Sequence, residues 1–357
     1  MINQIYNPRI IVWSNLVSKF LSPIYLFFNL FRKTYSITDI DIKTILITEF
    51  HRIGDILIIA PALKNIKQAF PNAHLILICN KASADLAKDL NLANEIIPIA
   101  VPWTDWNWSL IKWWKARSFA KKISYKNIDI AFDFKGDLRN SWFLWKTKPK
   151  VSFGYDTTGG GYFFTYPNKM NQNSHQTDRA KELVAKIGCS DIFESPKKLK
   201  NNNGAVVFHI GASDPSRLWP LEHWSELAKL LSENYLIGLV KTPESHYLEK
   251  KIDAMNLNVE YFEGSLVELK NWLKYQKCLI SPDSMAGHLA AYIGLPTVSI
   301  FGSQSPRLTC PLNDDYGVVI KPPKKCNHIR NHWRFCGQCM ESVVPESVFI
   351  EVNLLLS

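Results

Sequence analysis

A chain of 357 residues with 46% hydrophobic content can bury a full core, which excludes a disordered chain and favours two domains of ordinary size. Seven cysteines, an odd number scattered along the sequence, exclude the framework of a small disulfide-rich secreted domain and fit a reducing compartment. The formal charge of +10 implies an anionic partner: nucleic acid, an acidic membrane surface, or a phosphorylated glycan or nucleotide.

Residues 1–43 form an apolar extension. Its densest part, Ile10 to Arg32, is interrupted by Asn15, Lys19, Pro23 and Asn29, so it is marginal against the roughly 20 apolar residues that a spanning helix needs. No small-residue cleavage site marks it as a signal peptide. It reads either as a helix on a membrane surface or as one packed on the first domain.

From Thr44, short β-branched runs alternate with helical patterns: Thr44 to Thr48, His74 to Cys79, Glu95 to Ile99 and Ile128 to Phe132. Such alternation predicts right-handed βαβ crossovers and a parallel sheet. The first run ends in Glu49-Phe-His-Arg-Ile-Gly-Asp55 and passes straight into the helical Ile56 to Lys64. Gly54 permits a tight turn, and Asp55 then stands at the strand-to-helix junction, either as a catalytic carboxylate or as a helix cap. Between Lys112 and Lys150, eleven Lys or Arg face three Asp, with tryptophans interleaved. That stretch suits anionic sugars or headgroups, or is an ordinary solvated helix pair.

After the lysine-rich 195–204 the pattern restarts, through Ala205 to His209, Leu236 to Val240, Val259 to Phe262, Cys278 to Ile280 and Thr297 to Phe301. Two doubly wound domains, 44–200 and 201–340, would meet at a cleft lined by strand ends, with 341–357 as a C-terminal helix that can return to the first domain. His209 to Pro220 reads as strand, small-residue loop, then helix: Gly211 and Ser213 leave room for backbone donors, and Arg217 offers a fork suited to phosphate oxygens. Neither a Walker loop nor Gly-x-Gly-x-x-Gly is present. Glu244, after the second strand, could hold ribose hydroxyls or simply start a helix.

The run Ser281 to Gly302 packs a strand end, a helix start and a second strand into one βαβ unit. Asp283 and Ser284 stand where unpaired N–H groups and the positive dipole end favour a phosphate, with His288 one turn on. The plain alternative is an N-cap and a core histidine. Near the C-terminus, Cys336-Gly-Gln-Cys339 with Cys326 suggests zinc, but the spacing fits no usual finger and no metal is expected.

Taken together, the chain resembles glycosyltransferase family 9, the lipopolysaccharide heptosyltransferases, over most of residues 44–350. The resemblance rests on Ile53-Gly54-Asp55 with Pro61-Ala62-Leu63 and Phe70-Pro71, His209 to Pro220, Asp283-Ser284 with His288, Gly294-x-Pro296 and Phe301-Gly302. Asp133 to Gly136 with Arg139, Phe153 to Tyr155, and His175 to Arg179 are weaker echoes.

That resemblance implies an α/β fold in the GT-B arrangement: two Rossmann-like doubly wound parallel-sheet domains facing a central cleft. It implies an inverting, metal-independent transferase that moves a heptose or related sugar from a nucleoside-diphosphate donor, ADP-heptose first among them, to an anionic lipid-linked glycan. Asp55 would be the general base. Ser213, Arg217, Ser284, Met285 and His288 would hold the diphosphate, Glu244 and Asp283 the nucleoside, and Arg52, Lys135 and Arg139 the acceptor. No cofactor is implied. The location expected is the cytoplasmic face of the bacterial inner membrane, with peripheral contact.

Three positions depart from the family pattern: Met285 stands where Gly is usual, with Gly287 two residues on, Arg217 stands where many members have Lys, and Glu49 replaces a usual Lys or Arg. A nucleotide-sugar binder without transferase activity is the competing reading. Nucleic acid is not expected as a partner, because no RNP, zinc-finger or helix-turn-helix pattern supports it.

Overall fold

Runs of Ile, Leu and Val without polar alternation can be buried on both faces, as the strands of a helix-covered parallel sheet require. The computed structural model describes residues 8–104, 109–194, 196–201, 203–313, 315–323 and 338–357, and divides into two units, Met1–Phe193 and Glu194–Ser357.

In the first unit β1 (Thr44–Glu49), β2 (His74–Cys79), β3 (Glu95–Pro98), β4 (Ile130–Asp133), β5 (Val151–Tyr155) and β6 (Tyr166–Asn168) form one sheet in the order β3-β2-β1-β4-β5-β6, every pair parallel. Helices α1 (Pro8–Asn29), α2 (Ile53–Ala69), α3 (Lys81–Asp89), α4 (Leu110–Ser124), α5 (Leu138–Lys146) and α6 (Gln176–Ala185) accompany it. The last two strands were not apparent in the sequence series. Ser152 and Gly154 break the apolar run of β5, and β6 is a three-residue edge strand containing Pro167.

The second unit repeats the plan with β7 (Val206–Phe208), β8 (Ile237–Val240), β9 (Val259–Phe262), β10 (Cys278–Pro282), β11 (Thr297–Ile300) and β12 (Gly317–Ile320), in the order β12-β11-β10-β7-β8-β9. Its helices are α7 (Leu221–Ser232), α8 (His246–Ala254), α9 (Leu266–Leu273), α10 (Met285–Tyr292), α11 (Pro306–Thr309), α12 (Gln338–Glu341) and α13 (Pro345–Leu356). Counted within each unit, both sheets read 3-2-1-4-5-6, the doubly wound Rossmann order.

Within the second unit α13 packs on α7 and buries Val348 and Val352 in the core with Trp219, Trp224 and Met340. The Trp219 indole N–H donates to the Val343 carbonyl at 2.8 Å, so the tail is fastened by a buried hydrogen bond as well as by apolar area.

Helix α1 lies on the first unit by one face. The Gly160 N–H donates to Ser18 Oγ at 3.0 Å, Asn29 exchanges bonds with the Tyr162 carbonyl and the Trp145 indole, and Tyr25 packs edge-on against Trp145 and Phe163. Its other face exposes Val12, Trp13, Phe20, Ile24 and Phe27. Arg9–Asn29 is long and apolar enough to cross a membrane by length and composition, with only 6% of its most apolar window buried.

The Gly294-x-Pro296 signature has a backbone cause. Gly294 follows α10 at φ +87°, and a Cβ there would collide with the Lys197 carbonyl oxygen. Gly294→Ala should therefore destabilise the protein by about 1–3 kcal/mol through backbone strain alone, with the clash adding to it. Thermal unfolding measures this, and an unchanged midpoint would refute the assignment.

Candidate active site

In each unit the chain leaves strand 1 and strand 4 in opposite directions, and the strand ends there open a crevice. Both clusters of expected site residues lie at these ends.

In the first unit β1 ends in Glu49, whose carboxylate is fully buried and accepts from the His51 backbone N–H and pairs with His51 Nδ1, both at 3.1 Å. Asp55 sits at the third position of α2. One carboxylate oxygen accepts from the Arg52 N–H at 3.0 Å, half of a capping box. The other accepts from Lys135 Nζ at 2.6 Å, and 16% of the side chain remains exposed. Asp55 is thus both a cap and a presented carboxylate.

Lys135 follows β4 and reaches across the strand-order reversal to Asp55. It also donates to Gln176 Oε1 at 3.2 Å and lies 3.7 Å from Glu49 Oε2. Its loop is shaped by Gly136 at φ +69°, where a Cβ would stand 2.8 Å from the Tyr155 carbonyl oxygen. The buried Asp133 accepts from the Lys135 and Gly136 N–H groups.

Burial by itself would raise the Asp55 carboxyl, but the charges of Lys135 and His51 and the bonds from Lys135 and Arg52 outweigh it and hold the group at about 2. Burial pulls Lys135 down, yet Asp55 and Glu49 raise it above its ordinary value. Asp133, desolvated and facing Glu49 and Asp137, is pushed up to about 7.

Of the three residues expected to hold the acceptor, Lys135 is joined to Asp55, Arg139 makes a fork with Asp137 at 2.9 and 2.6 Å, and Arg52 is exposed at the start of α2.

In the second unit the β7 and β10 ends gather the other set. Arg217 Nη1 lies 3.1 Å from Asp283 Oδ2, with both side chains mostly buried, so Asp283 serves the arginine. Ser284 is the N-cap residue of α10 but does not cap it; its hydroxyl is buried without a hydrogen-bond partner among the described residues. Met285 opens α10 and His288 lies one turn along it, both partly exposed. Ser213 is exposed on the loop after β7.

Glu244 is exposed after β8, and its carboxylate approaches Gly211, where a Cβ would lie 3.4 Å from Glu244 Oε2. Gly287 does not stand in for the glycine missing at 285. It is buried against Ser281 and Ser299, holding α10 close to the sheet.

Sequence reasoning missed Thr242 and His209. The Thr242 hydroxyl and His209 Nδ1 are buried without partners among the described residues, and desolvation lowers His209 to about 4, keeping it neutral. Their positions just after β8 and β7 were the available signal. Among the described residues no three His, Cys, Asp or Glu side chains converge as a metal site. Cys326, Cys336 and the basic segment 324–337 lie outside the described residues.

The profile of Glycosyltransferase family 9 (heptosyltransferase) matches residues 116–334. This chain belongs to glycosyltransferase family 9. It is 25% identical over 288 residues to lipopolysaccharide heptosyltransferase 1 of Escherichia coli O18:K1:H7 (strain RS218 / NMEC), covering 74% of this chain and 87% of the relative. It is 22% identical over 326 residues to lipooligosaccharide heptosyltransferase 2 of Campylobacter jejuni (strain ATCC 700819 / NCTC 11168), covering 85% and 95%.

The solved structure of E. coli heptosyltransferase WaaC with ADP superposes with a TM-score of 0.72 at 21% identity, covering 87% of this chain and 99% of that one. That likeness assigns the family 9 chain to the two-Rossmann GT-B class. Its activity is glycosyl transfer, which decides against a binding protein without catalysis.

Replacing Lys135 by Met removes the charge and the bond that depress Asp55 while leaving its burial. The Asp55 midpoint, followed by carboxyl NMR, should rise from about 2 toward the ordinary aspartate range, with the His51 charge and the Arg52 N–H still opposing burial. In the native protein Asp55 contributes stability that is complete above about pH 4 and is lost as pH falls toward 2. In the variant that contribution should shrink; an unmoved midpoint would contradict the pairing.

Proposed function

We propose that this enzyme is an inverting, metal-independent heptosyltransferase of lipopolysaccharide core assembly, with Asp55 as its general base. The donor is a nucleoside-diphosphate heptose, ADP-heptose by analogy with the ADP of the similar structure. The acceptor is an anionic lipid-linked glycan. The observation that carries this reading is Asp55: a carboxylate fixed at a strand-to-helix junction, ionised at working pH and partly open to solvent.

In the reaction an acceptor hydroxyl oxygen attacks the anomeric carbon as its proton passes to Asp55. The bond from that carbon to the diphosphate oxygen breaks, and the nucleoside diphosphate leaves with the electron pair. One displacement with one base inverts the centre. When Asp55 gains the proton it ceases to balance Lys135, and the ammonium keeps Glu49 as its counter-ion at 3.7 Å.

On the donor side Arg217, the Ser284 hydroxyl and the backbone N–H groups of Ser284 and Met285 meet the diphosphate, with Ser213 and His288 at its edge. Glu244, beside Gly211, faces the ribose. Arg217 would divide its fork between Asp283 and phosphate, which supports charge neutralisation by the chain's own groups.

The exposed apolar face of α1 supports peripheral attachment to the inner face of the bacterial inner membrane. Leu110, Ile111 and Trp114 on α4 are likewise exposed, beside Lys112 and Lys115.

Asp55→Asn should lower transfer about 10²–10⁴-fold while leaving donor affinity, measured by calorimetry, within twofold. Loss of donor binding with transfer retained would sink the assignment. Among ADP-, UDP- and GDP-sugars, ADP-heptose should give the largest rise in melting temperature. Phe20→Glu with Phe27→Glu should abolish co-sedimentation with phosphatidylglycerol vesicles; sedimentation equal to that of the native enzyme would rule out α1 as the anchor.

A further inference from the structure

A helix on the surface of a water-soluble domain turns its apolar stripe inward and its polar side to solvent. Helix α1 is the reverse. Ser14, Ser18, Ser22, Tyr25 and Asn29 recur at three- or four-residue spacing, and none of them is exposed. The bare side carries Trp13, Phe20, Ile24 and Phe27, with Phe20 74% exposed against 7% for Ser18. Such a helix suits an apolar medium outside and a polar seam inside. Residues 8–35 also hold Arg9, Lys19, Arg32 and Lys33 and no acid, so a second copy would set like charges together, whereas an anionic bilayer neutralises them.

The seam ends on the loops of the candidate active site. The Gly160 N–H donates to Ser18 Oγ at 3.0 Å, and Gly159 lies so close that a Cβ there would stand 2.6 Å from Ser18 Cβ. Both glycines belong to the loop after β5, and that loop holds the loop after β4. The Thr158 N–H and hydroxyl donate to the Gly136 carbonyl at 3.1 and 3.2 Å, and Thr158 Oγ1 accepts from the Leu138 N–H at 2.8 Å. Gly136 directly follows Lys135, whose ammonium donates to Asp55. Unbroken contact thus runs from the apolar helix to the carboxylate, the kind of physical network through which two sites can be coupled.

We propose that α1 makes catalysis responsive to lipid: an anionic bilayer covering its apolar side holds its polar seam on Gly159 and Gly160, which fixes the loops after β5 and β4 and so the Lys135–Asp55 pair. That control presupposes the membrane attachment of α1 proposed above. In water the bare side of the seated helix is an exposed apolar face, relieved only when α1 leaves the seam to associate with itself or to fold over other apolar surface. The bilayer removes that penalty with α1 still seated, and this is the differential interaction that shifts the balance. Ser18 and Asn29 are positioning residues and take no part in the proton transfer.

The test uses the full chain with phosphatidylglycerol vesicles, phosphatidylcholine vesicles as the neutral control, and Ser18→Leu, which thickens the seam against Gly159 and leaves the apolar side intact. Sedimentation reads binding, and amide hydrogen exchange reads coupling. The native protein should sediment with phosphatidylglycerol, and exchange in 134–138 and 156–160 should slow about threefold or more on binding. Ser18→Leu should sediment equally and show no slowing. With an acceptor glycan stripped of its acyl chains, which vesicles cannot concentrate, phosphatidylglycerol should raise the native kcat about threefold or more and leave that of Ser18→Leu unchanged.

Binding of the native protein without slower exchange in either loop, or equal slowing in Ser18→Leu, would overturn the coupling while the attachment stands. Slower exchange with an unmoved kcat would reduce the network to a structural one. Failure to sediment would overturn both attachment and coupling, and a concentration-dependent dimer by light scattering would then assign the face to a second copy. If Ser18→Leu does not fold, Asn29→Leu, which removes both bonds at the other end of the seam, must lose the slowing for the coupling to stand. Exchange needs neither donor nor acceptor, so its outcome is independent of which residue is the base.

Discussion

The reversal of strand order between the first and fourth strands of each sheet is the constraint on which the rest depends. Right-handed crossovers send the helices after those two strands to opposite faces, so the backbone parts at their C-terminal ends and leaves polar groups uncovered. Beside β1 and β4 this opening holds Asp55, Lys135, Glu49 and Asp133; beside β7 and β10 it holds Arg217, Asp283 and Ser284. The apolar strands make the charged sites possible by fixing where the chain must turn.

Within the first unit the electrostatics form a graded chain rather than isolated pairs. Lys135 stands between two carboxylates, 2.6 Å from Asp55 and 3.7 Å from Glu49, and Glu49 in turn pairs with His51. Desolvation raises both aspartates of the site; at Asp55 the charges and bonds of Lys135 and His51 overcome it and hold the group at about 2, and at Asp133 the fields of Glu49 and Asp137 add to it and the group is pushed up to about 7. The carboxylate beside a cation stays ionised, and the one that is desolvated among other carboxylates is driven toward its neutral form.

The second unit balances charge differently. Arg217 is matched by Asp283, while neutral groups, the Ser284 hydroxyl, the Thr242 hydroxyl and His209 Nδ1, are left buried without partners among the described residues. Groups of that kind are costly in a finished core and useful where a polar ligand supplies the missing bonds. The glycines nearby divide between two tasks: Gly211 allows close approach beside Glu244, and Gly287 and Gly294 seat α10 against the sheet and end it.

Most of the fold was legible in the sequence because burial on both faces leaves an unbroken apolar signal: nine of the twelve strands among the described residues coincide with runs visible by eye. β5 escaped because Ser152 and Gly154 break its apolar run, β6 because it is a three-residue edge strand with Pro167, and β12 because it is a four-residue edge strand. By itself the sequence determined the two-sheet plan, the family and the strand-end positions of Asp55, Arg217 and Ser284, since these follow from local periodicity and motif order. Only the tertiary structure decided that Lys135 serves Asp55, that Arg139 serves Asp137, that Gly287 faces the sheet and that Arg179 is buried without a counter-ion. The first joins side chains 80 residues apart in the chain, and the others turn on which way a side chain or a helix face points once the elements are packed; no spacing along a sequence encodes either.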